Sequence, residues 1–580
     1  MTQAGPTPPE RPDGDSAQPA RHFRQILLWP LQLIPLSTAV KPSQHHWEWL
    51  TRPGSTPAWR EVEDEFTGDP SEFQERHYRE FVTFLPHVQR FLYGQGRGSS
   101  TVNGYGESPM RVFRRTDIKH IRLTFPDNEV LVLTVQHTDL YFFYEVDVAL
   151  LAFEYYADDV PLRRVQDIAY RFGRVFPARW NSEGVADQCM RNIEWLGENG
   201  TVLMDSDFHH RQAFLSHACQ HREARVGRHW DFLLRPMVQH DSERAGELRY
   251  RQLDYHHLPT LTYLSFDDPF ELSREDFFRL GMALEPDNGS GLPHPHEWLE
   301  QFERESCYDH YWDPLRRELR TSMRIICSAR AMVMVGSAHS KNYVDGDTGM
   351  LGQFRHQYFL LGMIAHFHHA AFLMLSDRMV LAVSRLDIDD AESMERFRLH
   401  IRNTTESFLR FNHRYWFHDV SKQLVAKDLF QLWRRQLNNE GLFQEVREEM
   451  LDMSQYLDTE ASRRQNDVVL RLTVVTIVGL IGTIATGFLG MNLIDAAAQP
   501  FGIKVLYFLA VLVPSIAVTM LTVVSSGKLA KLIDYMATDD DFSVRERLKR
   551  FARIRLLRVP RSIRAPRELA KLPEAEAPSE

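Results

Sequence analysis

Apolar positions along the chain fall into three regimes. In the first, short β-branched and aromatic runs at 130–135, 140–144, 261–264 and 332–335 predict strands. Between them, apolar residues at helical spacing predict helices at 160–172, opened by Asp158 and Asp159, and at 273–284, where Ser273 and Asp276 make a Ser-x-x-Asp start. In the second regime, 185 residues separate Pro314 from Pro500 without a proline, which predicts long helices. From Gly441, the residues Phe443, Val446, Met450, Met453 and Leu457 recur at steps of 3-4-3-4, a seam suited to packing against other helices. The third regime is two uncharged segments, 472–494 and 505–527, each 23 residues long. At 1.5 Å per residue each reaches about 34 Å, enough for a hydrocarbon core of about 30 Å. Ten residues separate them, which predicts a membrane hairpin. The segment 358–383 is also apolar, but His366, His368, His369, Asp377 and Arg378 interrupt it. Charges are expensive in hydrocarbon, so this segment is expected to be a buried helix of the water-soluble part.

These regimes give an α/β N-terminal cytosolic domain, then long helices, then a C-terminal two-helix transmembrane hairpin. The expected boundaries are a disordered leader at 1–21, the α/β domain at 22–350 and cytosolic helices including a stalk at 351–471. The first span covers 472–494, the external loop 495–504, the second span 505–527 and a basic cytosolic tail 528–580. Arg463, Arg464 and Arg471 precede the first span and Lys528 and Lys531 follow the second, while the loop carries Lys504 against Asp495. The positive-inside rule then puts both termini in the cytoplasm of a multi-pass protein, expected in the cell (inner) membrane. The leader has no apolar h-region, so no signal peptide is expected.

Composition narrows the classes. A net charge of −10 over 580 residues argues against a nucleic-acid binder. The four cysteines, Cys189, Cys219, Cys307 and Cys327, lack CxxC spacing, which excludes a zinc ribbon or redox pair. P-loop, GxSxG and His-Glu-x-x-His patterns are absent, which weakens an enzyme reading, and no catalytic activity is expected.

The chemistry lies in the first span. Gly479, Gly482, Thr483, Thr486, Gly487 and Gly490 form a stripe of small and hydroxylated residues at steps of 3-1-3-1-3. Such a face serves close helix packing or lines a path for ions. The stripe ends in Gly490-Met491-Asn492 at the outer mouth of the span. With this motif closing the first of two C-terminal spans, the chain resembles the CorA-type family of magnesium and divalent-metal transporters over about 441–531. The resemblance implies a homopentamer with a cytosolic funnel and a pore lined by the first span. It also implies an ion selectivity filter at Gly490, Met491 and Asn492, with Asn466, Leu472, Thr476, Leu480, Thr483 and Gly487 lining the pore. Independently, Asn466, Thr476, Leu480, Thr483, Gly487 and Gly490 fall on one helical face about 120° wide.

The expected cargo is hydrated Mg²⁺, also the implied regulatory ion, with Zn²⁺, Co²⁺ and Ni²⁺ as further candidates. The alternative of a Zn²⁺ transporter of ZntB type, proton-coupled or exporting, shares Gly-Met-Asn. A second alternative is a cytosolic sensor or enzyme domain anchored by the hairpin. The chain departs from the family at Leu489, where many members have tyrosine, at the single loop acid Asp495, and in its long tail. Residues 545–567 of that tail carry ten Lys or Arg against Glu546, as expected either of a helix on anionic lipid or of a solvated tail. Of 26 histidines, His366 and His369, at i and i+3, are the candidate pair for a regulatory metal. Asp389-Asp390 and Glu448-Glu449 are candidate divalent sensors, although a solvated helix face explains each more simply.

Overall fold

The computed structural model describes residues 18–35, 46–50, 58–62, 75–94, 109–242, 248–253, 257–286, 291–387, 390–490, 500–503, 505–506, 509–514 and 516–518. The chain divides into two units, Met1–Leu451 and Asp452–Glu580.

The first unit opens with the long strand β1 (Pro19–Pro35), followed by β2 (Trp59–Glu61) and the helices α1 (Glu75–Thr83) and α2 (Pro86–Tyr93). Four strands come next: β3 (Met110–Arg115), β4 (His120–Thr124), β5 (Val130–Phe143) and β6 (Val148–Pro161). Then α3 (Leu162–Arg171) leads to β7 (Asn192–Leu196), β8 (Val202–Asp205), α4 (Arg211–His221) and α5 (Arg228–Leu234). After them come β9 (Val238–Gln239), β10 (Leu248–Gln252), β11 (Thr260–Phe266), α6 (Arg274–Met282) and α7 (His296–Ser306). The last strands are β12 (Cys307–Tyr311), β13 (Met323–Cys327) and β14 (Ala331–Ser337). The short helices α8 (Lys341–Val344) and α9 (Met350–Gln353) and a π-helical turn at Phe354–Tyr358 run into α10 (Phe359–Ser384). The chain continues through α11 (Ala391–Arg414), α12 (Leu424–Gln436) and α13 (Asn439–Gly490).

All the described strands join one mixed sheet in the order β12-β13-β14-β11-β1-β6-β5-β4-β7-β8, with β10 and β9 extending from β1, and β3 and β2 from β5. Its pairings are antiparallel except β11 with β14 and β9 with β10. β1 is central: it pairs with β6 on one side, and on the other with β11 along its first half and β10 along its second. Pro30 sits at the changeover. Its carbonyl accepts from Leu253 N, so its missing N–H points into the gap between the end of the β11 ladder at Leu27 and the start of the β10 ladder at Leu31. A proline is tolerated there because no ladder bond is lost. Trp29, Trp195, Trp230, Phe153 and Phe172 pack beneath this region in one apolar core.

Three expectations need correction. Residues 19–21 belong to β1 rather than to a leader. β6 runs to Pro161 and α3 starts only at Leu162, with Pro161 at its N-cap and no side-chain cap, so Asp158 and Asp159 are strand residues: the proline, which has no N–H to continue the ladder, marks the boundary that the acidic pair was expected to set. The proline-free stretch begins with β13 and β14 and becomes helical only afterwards. By contrast, α6 carries the expected capping box between Ser273 and Asp276.

Among the described residues, Met350–Ser384 is the one helix long and apolar enough to cross a membrane by length and composition, and 78% of its most apolar stretch is buried. Its charges explain why it belongs to the first unit. Asp377 lies 3.3 Å from Arg251 on β10, and Arg378 pairs with Asp147, which also accepts from His46. Phe367 stacks on Phe143 at 3.8 Å, binding α10 to the sheet. The seam predicted from Gly441 starts here too, with Phe443 against Trp416, Phe408 and Phe372.

Candidate functional site

In the second unit, one uninterrupted helix carries Asn466, Leu472, Thr476, Leu480, Thr483 and Gly487, and ends at Gly490. Helical periodicity therefore holds across the whole stripe, and the residues predicted to share a face do share one. Asn466, Leu472, Thr476, Leu480, Thr483 and Gly487 are all exposed in the single chain, Leu472 at 66% and Leu480 at 60%. Met491, Asn492 and the loop up to 499 lie outside the described residues, as do much of the predicted second span and the basic tail. Residues 501–503, 505–506, 509–514 and 516–518, in the predicted second span and its approach, are helical, and Leu506, Leu509, Val513, Ile516 and Val518 are exposed.

The threonines of this helix turn their hydroxyl hydrogens inward. Thr473 donates to Val469 O at 2.9 Å, Thr476 to Leu472 O at 2.8 Å, Thr483 to Gly479 O at 2.9 Å and Thr486 to Gly482 O at 3.0 Å. Each hydroxyl is satisfied without water, and its oxygen lone pairs remain available on the helix surface. A methyl group added at Gly479, Gly482 or Gly487 would meet no described atom within 4 Å. Nothing described in the chain itself requires glycine at these positions. A surface of exposed Leu, Ile and Val with satisfied hydroxyls and open glycines can receive lipid or further helices.

His366 and His369 lie on α10 in the first unit. His366 is buried, and burial, with His369 beside it, pushes its imidazole down to about 3, so the ring is neutral. The adjacent His368 points elsewhere: its Nε2 lies 2.6 Å from the carbonyl of Tyr415. Asp389 lies outside the described residues, and Asp390 caps α11 by accepting from Glu392 N and Ser393 N. On α13, burial and the nearby Glu445 raise the carboxyl of Glu449.

Another group, not singled out from sequence, brings together three metal-ligating types. His217 and His221 on α4 meet Asp241 in the turn after β9, with one ligand atom from each residue within 4.8 Å of the others. The local signal was the i, i+4 spacing of the histidines. Asp241 is 20 residues further along the chain and reaches them only through the fold.

No protein-family model matches the chain, and no curated protein does. Among solved structures, the chain is similar to the CorA magnesium transporter from Methanocaldococcus jannaschii, with 16% identity, 47% of this chain and 93% of that chain covered, and a TM-score of 0.16.

Proposed function

We propose that the chain is a CorA-type divalent-cation channel that conducts hydrated Mg²⁺ across the membrane as a homopentamer. The observation that carries this reading is the sequence Gly490-Met491-Asn492 directly after the small and hydroxylated stripe, with the stripe through Gly490 on one continuous helix. The exposed apolar residues around that stripe support insertion and assembly, since a water-soluble monomer rarely leaves so much apolar surface open. Mg²⁺ dehydrates reluctantly, so a filter handles it best with its water shell in place. A ring of Asn492 amides and Gly490 carbonyls accepts hydrogen bonds from those waters. Rings of Leu472 and Leu480 close the path by dewetting. An inward-negative potential contributes about 2.3 kcal/mol per charge per 100 mV, doubled for a divalent ion, so influx needs no second energy source.

The test is flux into liposomes containing the purified full chain, with Mg²⁺, Zn²⁺, Ni²⁺ and Co²⁺ offered separately, with and without a proton gradient. Mg²⁺ flux that Asn492→Ala abolishes while native mass stays pentameric is the expected result. Zn²⁺ flux that follows the proton gradient, with no Mg²⁺ flux, would replace this reading with the ZntB-type one. Unchanged transport in Asn492→Ala would remove the filter assignment.

A further inference from the structure

The cluster of His217, His221 and Asp241 stands apart from the stripe and is built from the fold up. His217 and His221 are four residues apart on α4, so they project from one face one turn apart, their ring centroids 4.6 Å from each other. His217 Nε2 lies 2.9 Å from Asp241 Oδ2, and His221 Nδ1 lies 3.9 Å from the same oxygen. With a metal–ligand distance of about 2.0–2.1 Å, the edge of a zinc tetrahedron is about 3.3 Å, and the two measured separations bracket it.

The backbone that carries Asp241 is held in place independently of the two histidines. The turn carrying Asp241 is closed by Ser242 N donating to Gln239 O at 3.1 Å, and Arg249 braces it by donating to His240 O at 2.7 Å and Ser242 O at 2.8 Å. A second link, His240 to Glu223 at 3.0 Å, ties the turn to the segment just after α4. The partners the structure gives the Asp241 carboxylate are the two imidazoles, and its side chain is only 10% exposed. His221 is a third exposed, which leaves an entry path and room for a water as fourth ligand.

We infer that His217, His221 and Asp241 form a binding site for a borderline transition-metal dication of the Zn²⁺, Co²⁺ and Ni²⁺ class. Two imidazole nitrogens and one carboxylate select this class over Mg²⁺, which takes oxygen donors and keeps its waters. The site bridges α4 and the β9 turn, so the ion ties a peripheral helix to the sheet. This assignment does not depend on the transport reading, because the site lies outside the predicted spans and is read by equilibrium binding.

The test uses the purified full chain, stripped of metal, in a large excess of Mg²⁺ to occupy oxygen-donor sites. Co²⁺ titration is expected to give the intense visible bands of a tetrahedral nitrogen- and oxygen-ligated ion, displaced by Zn²⁺. His217→Ala and His221→Gln are each expected to weaken Zn²⁺ binding by about tenfold or more, and Asp241→Asn to do likewise. His209→Ala, which alters an exposed histidine just before α4, is expected to leave affinity unchanged. Undiminished affinity in His221→Gln, whose partly exposed position tolerates the change, would overturn the assignment. So would a wild-type protein that gives no Co²⁺ bands, which needs no variant to fold. In either case the cluster is an ordinary histidine–aspartate hydrogen-bonded group.

Discussion

Asp377 and Arg378 are neighbours in sequence that serve different partners. Asp377 reaches Arg251, while Arg378 reaches Asp147, whose carboxylate is nearly buried and is shared with His46. Removing Asp147 leaves a guanidinium and an imidazole facing a site built for an anion. Asp147→Ala is expected to cost about 3 kcal/mol by denaturant unfolding. A loss below about 1 kcal/mol would show that water replaces the carboxylate. The capping box of α6 is a smaller case: Ser273 Oγ accepts from Asp276 N at 3.1 Å, and Asp276 accepts from Ser273 N at 2.9 Å. Ser273→Ala is expected to cost about 1 kcal/mol in the same measurement, with Ser273→Thr nearly neutral. The cap was legible in the sequence because its partners are three residues apart. That Asp377 and Arg378 would not suit hydrocarbon was legible too, but their partners on the sheet were not, because no local pattern links position 378 to position 147.

At the scale of elements, legibility followed local periodicity. The runs at 261–264 and 332–335 are the centres of β11 and β14. The runs at 130–135 and 140–143 belong to one strand, β5, with Tyr144 just past its end, and a bulge between Val135 and His137 broke the apolar run without ending the strand. β1 had no comparable signal: prolines at 19, 30 and 35 read as breaks, and residues 26–33 are buried on both faces, so nothing alternates. The seam of α13 was readable because one face repeats for several turns. Its continuation into the stripe supports a sharper prediction. Leu480 is an apolar member of a largely small or hydroxylated face, lying between Thr476 and Thr483. If leucines from five copies converge there, Leu480→Asn hydrates the constriction and raises basal current, with weaker inhibition by internal Mg²⁺. If Leu480 faces lipid instead, the amide lacks partners and assembly suffers. Electrophysiology beside native gels separates the outcomes, a well-assembled leaky channel being expected. Poor assembly without leak would remove Leu480 from the pore face.

Across the first unit, the buried histidines set a pH dependence that no single element reveals. Burial is the main cause in each case: His46 is pushed down to about 4, and His229, His366 and His368 each to about 3. In the unfolded chain these rings take up a proton near pH 6.5. Below that value the unfolded state binds more protons than the native one, so stability is lost as pH falls from about 6.5 toward 4. Each ring removes roughly 1 kcal/mol per pH unit over that window. Asp139, Glu154, Asp309 and Glu449, raised chiefly by burial, work in the opposite direction, but they are four groups against six, because burial also lowers His257, to about 3, and His217. The melting temperature is therefore expected to drop clearly between about pH 7.5 and about pH 5. His229 isolates the cause. Among the described residues, neither of its ring nitrogens has a hydrogen-bond partner, and it lies 4.9 Å from Phe208 and 5.3 Å from Trp230, centroid to centroid. Replacing an unpaired buried polar ring by an apolar one of similar shape is nearly neutral or stabilising. His229→Phe also removes one titrating group, so its advantage over the wild type should grow by roughly 1 kcal/mol for each pH unit below 6.5. Thermal melts of both proteins across this range decide the matter, and a difference in melting temperature that stays constant from pH 7.5 to 5 would mean that His229 is not held neutral by the fold.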